Sequence, residues 1–185
     1  MKMTCLIVCL MFLLVAGAGS SQESATPPVP PAPVAVFAEL DGVWKGTFVG
    51  YDAAGKELYR IRVRQEYETI SDTLQKVRIT DTMPDGTVIT GEGENIAHRR
   101  SDGTLELKCT VRKSDGDLVE HSGRIIRGPD GTAQIIWHSR SPDRVETFRE
   151  YVFHHEGKTI YEINGMGRYD GTLMLMTGRY TKQTD

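Results

Sequence analysis

The chain has 185 residues, 39% apolar and 25% charged, with a formal net charge of −3. The length suits one domain, and the composition is that of an ordinary globular protein. Lysines and arginines are scattered rather than clustered, which removes the electrostatic basis for binding nucleic acid or an anionic membrane.

The first segment is distinctive. Lys2 precedes the uncharged apolar run Leu6 to Ala18, which ends in the small residues Ala16-Gly17-Ala18. This layout predicts a secretory signal peptide over residues 1–18. The run is shorter than the ~20 residues of a transmembrane helix and no stop-transfer charges follow it. The expectation is therefore no membrane span and a secreted product, periplasmic or extracellular. Cys5 and Cys9 lie inside the run, so neither is placed for lipid attachment. Their removal leaves Cys109 alone, without an intramolecular disulfide. Cys109 alternates with Leu105, Leu107 and Val111 and reads as a small buried hydrophobe.

Residues 19–35 are predicted to form a disordered linker. Five of the eight prolines fall between Pro27 and Pro33, which favours an extended spacer.

Residues 36–185 form the predicted folded domain. Short segments rich in Val, Ile, Thr, Tyr and Phe alternate with Asp-Gly pairs at 85–86, 102–103, 115–116, 130–131 and 170–171. Asp-Gly between alternating segments is a strong hairpin signal, because tight turns need positive φ. Ten strands follow near 43–51, 57–69, 74–82, 88–97, 105–113, 118–127, 133–139, 145–154, 159–165 and 173–182. No gap is long enough for a crossover helix, so the pairing must be antiparallel. Leu105, Leu107, Cys109 and Val111 oppose Glu106, Lys108, Thr110 and Arg112, giving one apolar and one wet face. Arg60, Arg62 and Arg64 alternate with Ile61 and Val63, which favours an outward row. A ten-strand sheet hides its apolar face and removes its edges by closing. The predicted fold is all-β, a single antiparallel up-and-down barrel. Glycines within the strands, among them Gly46, Gly123 and Gly165, suit barrel corners.

Leu40-Asp41-Gly42-Val43-Trp44 opens the domain, and its Gly-x-Trp resembles the lipocalin and calycin signature. The resemblance implies that Trp44 closes one end of the barrel. It also implies that an arginine near the last strand, here Arg179, packs across the indole as a structural partner. Fatty-acid-binding relatives insert two helices after the first strand, for which Asp52 to Lys56 leaves no room. Lipocalins proper place a helix after the barrel, and only a few residues follow the last strand here. The chain most resembles the helix-poor lipocalin-like domains of bacterial exported proteins, whose functions are mostly unassigned.

A barrel of this size can hold one small ligand. The candidate ligand-binding residues are Trp44, Phe48, Ile61, Val63, Val77, Ile79, Leu107, Val111, Ile135, Trp137, Met174 and Met176. The same residues serve equally well as a filled core. The histidines lack metal-site spacing: His154 and His155 are adjacent and face opposite ways on a strand. His121 or His138 could present one inward imidazole, as a haem site would require. No metal ligand set, cofactor or catalytic residue is assigned, and no nucleophile elbow, phosphate loop or dinucleotide fingerprint occurs.

The sequence thus favours an exported protein that binds a small, mostly apolar molecule inside the barrel. Two alternatives stay open. One is an enzyme with a polar site at the barrel mouth, built from Glu92, Glu94, His121 and His138. The other is an envelope interaction module with a filled barrel.

Overall fold

The computed structural model describes residues 34–128, 132–141 and 144–184. The predicted signal peptide and nearly all of the predicted linker lie outside the described residues. A short helix, α1 (Val34–Leu40), comes first. Ten strands follow: β1 (Gly42–Asp52), β2 (Glu57–Ser71), β3 (Leu74–Thr82), β4 (Val88–Arg99), β5 (Leu105–Lys113), β6 (Leu118–Arg127), β7 (Ala133–Arg140), β8 (Arg144–His155), β9 (Lys158–Tyr169) and β10 (Thr172–Lys182). Each pairs antiparallel with its sequence neighbours, and β10 pairs with β1 to close the barrel. The expected up-and-down barrel is the fold. β9 runs four residues further than its apolar pattern suggested, and α1 has no counterpart in the sequence reading.

The Asp-Gly signature serves two turn geometries. After β3, β4 and β5 the glycine alone of each Asp-Gly pair takes positive φ, from +83° to +96° (Gly86, Gly103, Gly116), as does Gly55 in the Ala54-Gly55 turn after β1. Its N–H donates to a carbonyl three residues back, as from Gly86 to Met83 at 3.0 Å. The aspartate there does not need positive φ. Its carboxylate instead accepts the N–H two residues on, from Thr87 to Asp85 and from Thr104 to Asp102, each at 2.9 Å, as an Asx-turn does. The β8–β9 and β9–β10 turns differ: Glu156-Gly157 and Asp170-Gly171 take positive φ at both residues. That is the two-residue type I′ turn, whose twist matches the flanking strands. The Asp130-Gly131 pair lies outside the described residues.

α1 plugs one end of the barrel. It stops where Gly42 adopts φ +107°, a conformation open to glycine at a helix end. Phe37 and Leu40, one turn apart, are buried in the barrel mouth. The Trp44 indole N–H donates to the Leu40 carbonyl at 2.6 Å, so the first strand's tryptophan holds the plug in place. Beside it Tyr161 lies 5.5 Å from Trp44 and 5.4 Å from Tyr180, centroid to centroid. All three rings are fully buried. They fill the α1 end of the interior and leave no room for a ligand there.

Trp44 is buried at this end of the barrel, and the cation over its ring is Lys182, with Nζ 5.3 Å from the ring centroid. Arg179 is not that cation. It lies outside the barrel, paired with Glu162 at 3.0 Å and set over Phe153. The reason is strand parity. Lys182 stands directly opposite Trp44 across the β1–β10 ladder, whereas Arg179 is opposite Thr47 and on the other face of its strand.

A second cluster fastens α1. The Gln75 amide, wholly buried, donates to the Phe37 carbonyl at 2.7 Å and to Asp41 Oδ1 at 2.9 Å. Asp41 also accepts the Thr69 amide and hydroxyl. The Gln75 carbonyl accepts from Asn95 Nδ2 at 3.0 Å. Helix, β2, β3 and β4 are thereby joined through one side chain.

Candidate functional site

Between the aromatic floor at the α1 end and a polar layer at the far end lies a cavity of about 140 Å³. Its wall is built from inward positions of nine strands, β1 to β9, alternating along each as the pleat requires. Phe48, Val77, Ile79, Val111, Val119, Phe148, Trp137 and Ile163 supply the apolar surface, and Gln65, Tyr67, Asn95, Cys109, His121 and Glu150 the polar groups. Two glycines make room for its largest rings. A Cβ on Gly123 would lie 2.4 Å from the Trp137 ring, and one on Gly165 would lie 2.3 Å from the Phe148 ring. Neither ring could lie flat against its neighbouring strand if those positions carried a side chain.

The deep polar group is Glu150. Trp137 Nε1 donates to its Oε2 at 2.8 Å, and the Tyr161 hydroxyl bonds the same carboxyl. Burial pushes this carboxyl above its ordinary range, against the pull of those two donors and of His121 nearby. The buried hydroxyls of Tyr67 and Tyr161, 3.4 Å apart, are held protonated, because burial raises both well above the usual tyrosine range.

The far end carries Glu146. His121 Nε2 lies 2.9 Å from its Oε1, Ser139 donates to the same oxygen at 3.1 Å, and the Tyr169 hydroxyl donates to Oε2. Burial raises this carboxyl, but the bonds from His121 and Tyr169 outweigh it and hold Glu146 below its ordinary range. His121 is thus oriented by a carboxylate at one ring nitrogen while lining the cavity. Its ring stands 5.7 Å from Phe148 and 6.5 Å from Trp137.

Cys109 supplies no nucleophile. Burial, with the Glu150 charge adding, pushes its thiol up to about 12, so the thiolate that would react is scarce.

All twelve expected ligand residues occupy inward strand positions, and the structure divides them by depth. Phe48, Val77, Ile79, Val111 and Trp137 line the cavity. Val63, Leu107 and Ile135 are packed into the core with Trp44, and Ile61 packs against it. Met176 is buried beside the Tyr169 hydroxyl, whose oxygen lies 3.2 Å from its sulfur, and Met174 is opposite Gly167. Neither methionine reaches the cavity wall.

The polar site expected at the mouth does not assemble. Glu92, Glu94 and His138 are exposed on the outer face, and only His121 of that group turns inward. On β4 the inner face is Gly91, Gly93, Asn95 and Ala97, so the small residues face in and the carboxylates face water. Arg60, Arg62 and Arg64 also lie outside, as expected, with Arg60 paired to Glu57 and Arg64 to Glu66.

Seven wall residues escaped the sequence reading, Gln65, Tyr67, Asn95, Val119, Phe148, Glu150 and Ile163, as did Glu146 behind His121. For Gln65 and Tyr67 a signal existed, since they continue the inward series Ile61, Val63. On β8 it was weak. Glu146, Phe148, Glu150 and Val152 alternate with Val145, Thr147, Arg149 and Tyr151, and neither series is plainly the apolar one.

No protein-family model and no curated protein matches the sequence. Solved structures do. The S-type phycobiliprotein lyase CPES from Guillardia theta matches with a TM-score of 0.59 and 9% identity, over 84% of this chain and 94% of its own. Rv2717c from M. tuberculosis matches with a TM-score of 0.59 and 10% identity, over 83% and 99%. At such identities the likeness is one of fold alone, that of a closed antiparallel barrel.

Proposed function

We propose that this is an exported protein that binds a small, mostly apolar molecule inside its barrel. The observation that carries the reading is the cavity of about 140 Å³, walled largely by aliphatic and aromatic side chains, with a few polar groups converging on it. Small-molecule sites have this composition, and apolar cavities of comparable size are known to take up benzene-sized guests. The filled half of the barrel, from Trp44 to Tyr180, supports the same reading by giving the cavity a rigid floor. One barrel of matching fold is a phycobiliprotein lyase, so the architecture accommodates more than storage, but the identity is too low to lend a substrate. Export rests on the layout of residues 1–18.

Native mass spectrometry of protein purified from its own host tests binding. A stoichiometric small molecule is the expected result, and a bare polypeptide that also takes up no apolar probe would overturn the reading. N-terminal sequencing of the same material tests export: a chain starting at Gly19 is expected, and one retaining Met1 would refute it.

A further inference from the structure

The polar groups of the cavity are not a random set. Asn95 is buried at 3% exposure, and its Oδ1 is, among the described residues, the buried side-chain nitrogen or oxygen without a hydrogen-bond partner. Its orientation follows from the network beneath it. The Phe37 carbonyl and the Asp41 carboxylate only accept, so Gln75 must turn its NH₂ towards them. That leaves the Gln75 carbonyl facing Asn95, which must answer with its own NH₂. The remaining atom, Oδ1, is an acceptor that nothing in the protein satisfies, on a residue that lines the cavity. A buried acceptor of this kind is costly unless something donates to it.

The second group is the Glu150 carboxyl. Trp137 and Tyr161 donate to it from the protein side, and it lines the cavity. No lysine or arginine lines that wall. His121, the other titratable group near Glu150 with cationic potential, has Nε2 committed to Glu146. Gln65 presents an amide that can donate or accept and does not discriminate. The wall is therefore rich in acceptors and aromatic faces and has no fixed cation of its own.

We infer that the cavity selects a small organic amine in its protonated form, its apolar body against Phe48, Phe148 and Trp137 and its ammonium donating to Glu150 and Asn95 Oδ1. The inference rests on the binding reading above and names its ligand class. An ammonium carries three donors and no acceptor, which suits an acceptor without a partner, Asn95 Oδ1, beside a carboxyl that can accept further bonds and has no lysine or arginine near it on the wall. Aromatic faces add attraction for a cation. A carboxylate ligand, such as a fatty acid, would meet Glu150 and the unpaired acceptor with no lysine or arginine on the wall to offset either, and with the His121 Nε2 already engaged by Glu146, so the site discriminates by repulsion as well as attraction.

The test is calorimetric titration of the purified whole chain at neutral pH with four ligands of one shape: benzylamine, benzyl alcohol, toluene and benzoate. The expected order puts benzylamine first, at least about tenfold tighter than benzoate. Glu150→Gln keeps the acceptor for Trp137 and removes the charge. It should bring benzylamine to within about threefold of benzyl alcohol. Toluene or benzyl alcohol binding as tightly as benzylamine in the unaltered protein, or benzoate binding best, overturns the amine inference and leaves the apolar-ligand reading standing. Binding of none of the four overturns both. An unchanged preference in a folded Glu150→Gln variant overturns the role of Glu150.

Discussion

Replacing Gln75 with leucine isolates what fastens α1 to the barrel. The two side chains have similar volume, so little cavity opens. What changes is hydrogen bonding: Asn95 Nδ2 and the Phe37 carbonyl lose their bonds of 3.0 and 2.7 Å, and Asp41 keeps only its contacts to Thr69. Each buried polar group left unsatisfied costs about 1–3 kcal/mol. Two such groups cost about 2–6 kcal/mol, offset by about 1–2 kcal/mol from burying the more apolar side chain. At the centre of those ranges the net expectation is a loss of about 2.5 kcal/mol, or about 5–10 °C in Tm for a domain of this size. Urea unfolding followed by the fluorescence of Trp44 and Trp137 measures it. Replacing Asn95 with leucine as well removes both partners of one bond, so the double variant should lose less than the sum of the singles. A Gln75→Leu protein as stable as its parent would refute the claim that this amide holds the plug.

Glu150→Gln should raise stability at neutral pH, and the sign follows from linkage. Because the folded carboxyl titrates above its unfolded value near 4.5, its contribution is fully present below that value and is lost as pH rises through the folded pKa. The variant cannot ionise, so its advantage in urea midpoint should shrink to nothing on acidification below about pH 4; an advantage independent of pH would show that charge is not the cause. Gly123→Ala drives a Cβ into the Trp137 ring and should cost about 1–3 kcal/mol, with a shift in tryptophan emission as that ring leaves Glu150; an unshifted spectrum would count against the close approach. Cys109, with its thiol pushed up to about 12, should resist a thiol reagent at pH 8 while folded and react fully in denaturant, and rapid modification of the native protein would contradict its burial. Arg179→Ala should change stability by less than about 0.5 kcal/mol, since exposed pairs contribute little, and should leave Trp44 emission unaltered; a red shift would restore Arg179 as the indole's partner.

Much of the architecture was legible from local chemistry. Hairpin turns are encoded within a few residues, so Asp85-Gly86, Asp102-Gly103 and Asp170-Gly171 announced themselves. Strand alternation is equally local, and Leu105 to Val111 showed its inner face without any partner in view. α1 was not legible, because seven residues of Val, Ala, Phe, Glu and Leu after a proline-rich run have no helix signal strong enough to stand alone. It forms because Phe37 and Leu40 have a barrel mouth to enter and Gln75 to hold them.

The order of strands, their antiparallel pairing and the need to close were set by the sequence alone, because each depends on spacing and on the period of two along a strand. Tertiary structure alone decided how the interior is shared between core and cavity. That division depends on register and tilt, which carry Trp44, Tyr161 and Tyr180 to one level and leave Phe48, Trp137 and Glu150 around open space at another. It also decided that Lys182 and not Arg179 meets Trp44, since a shift of one residue on a strand exchanges inside for outside.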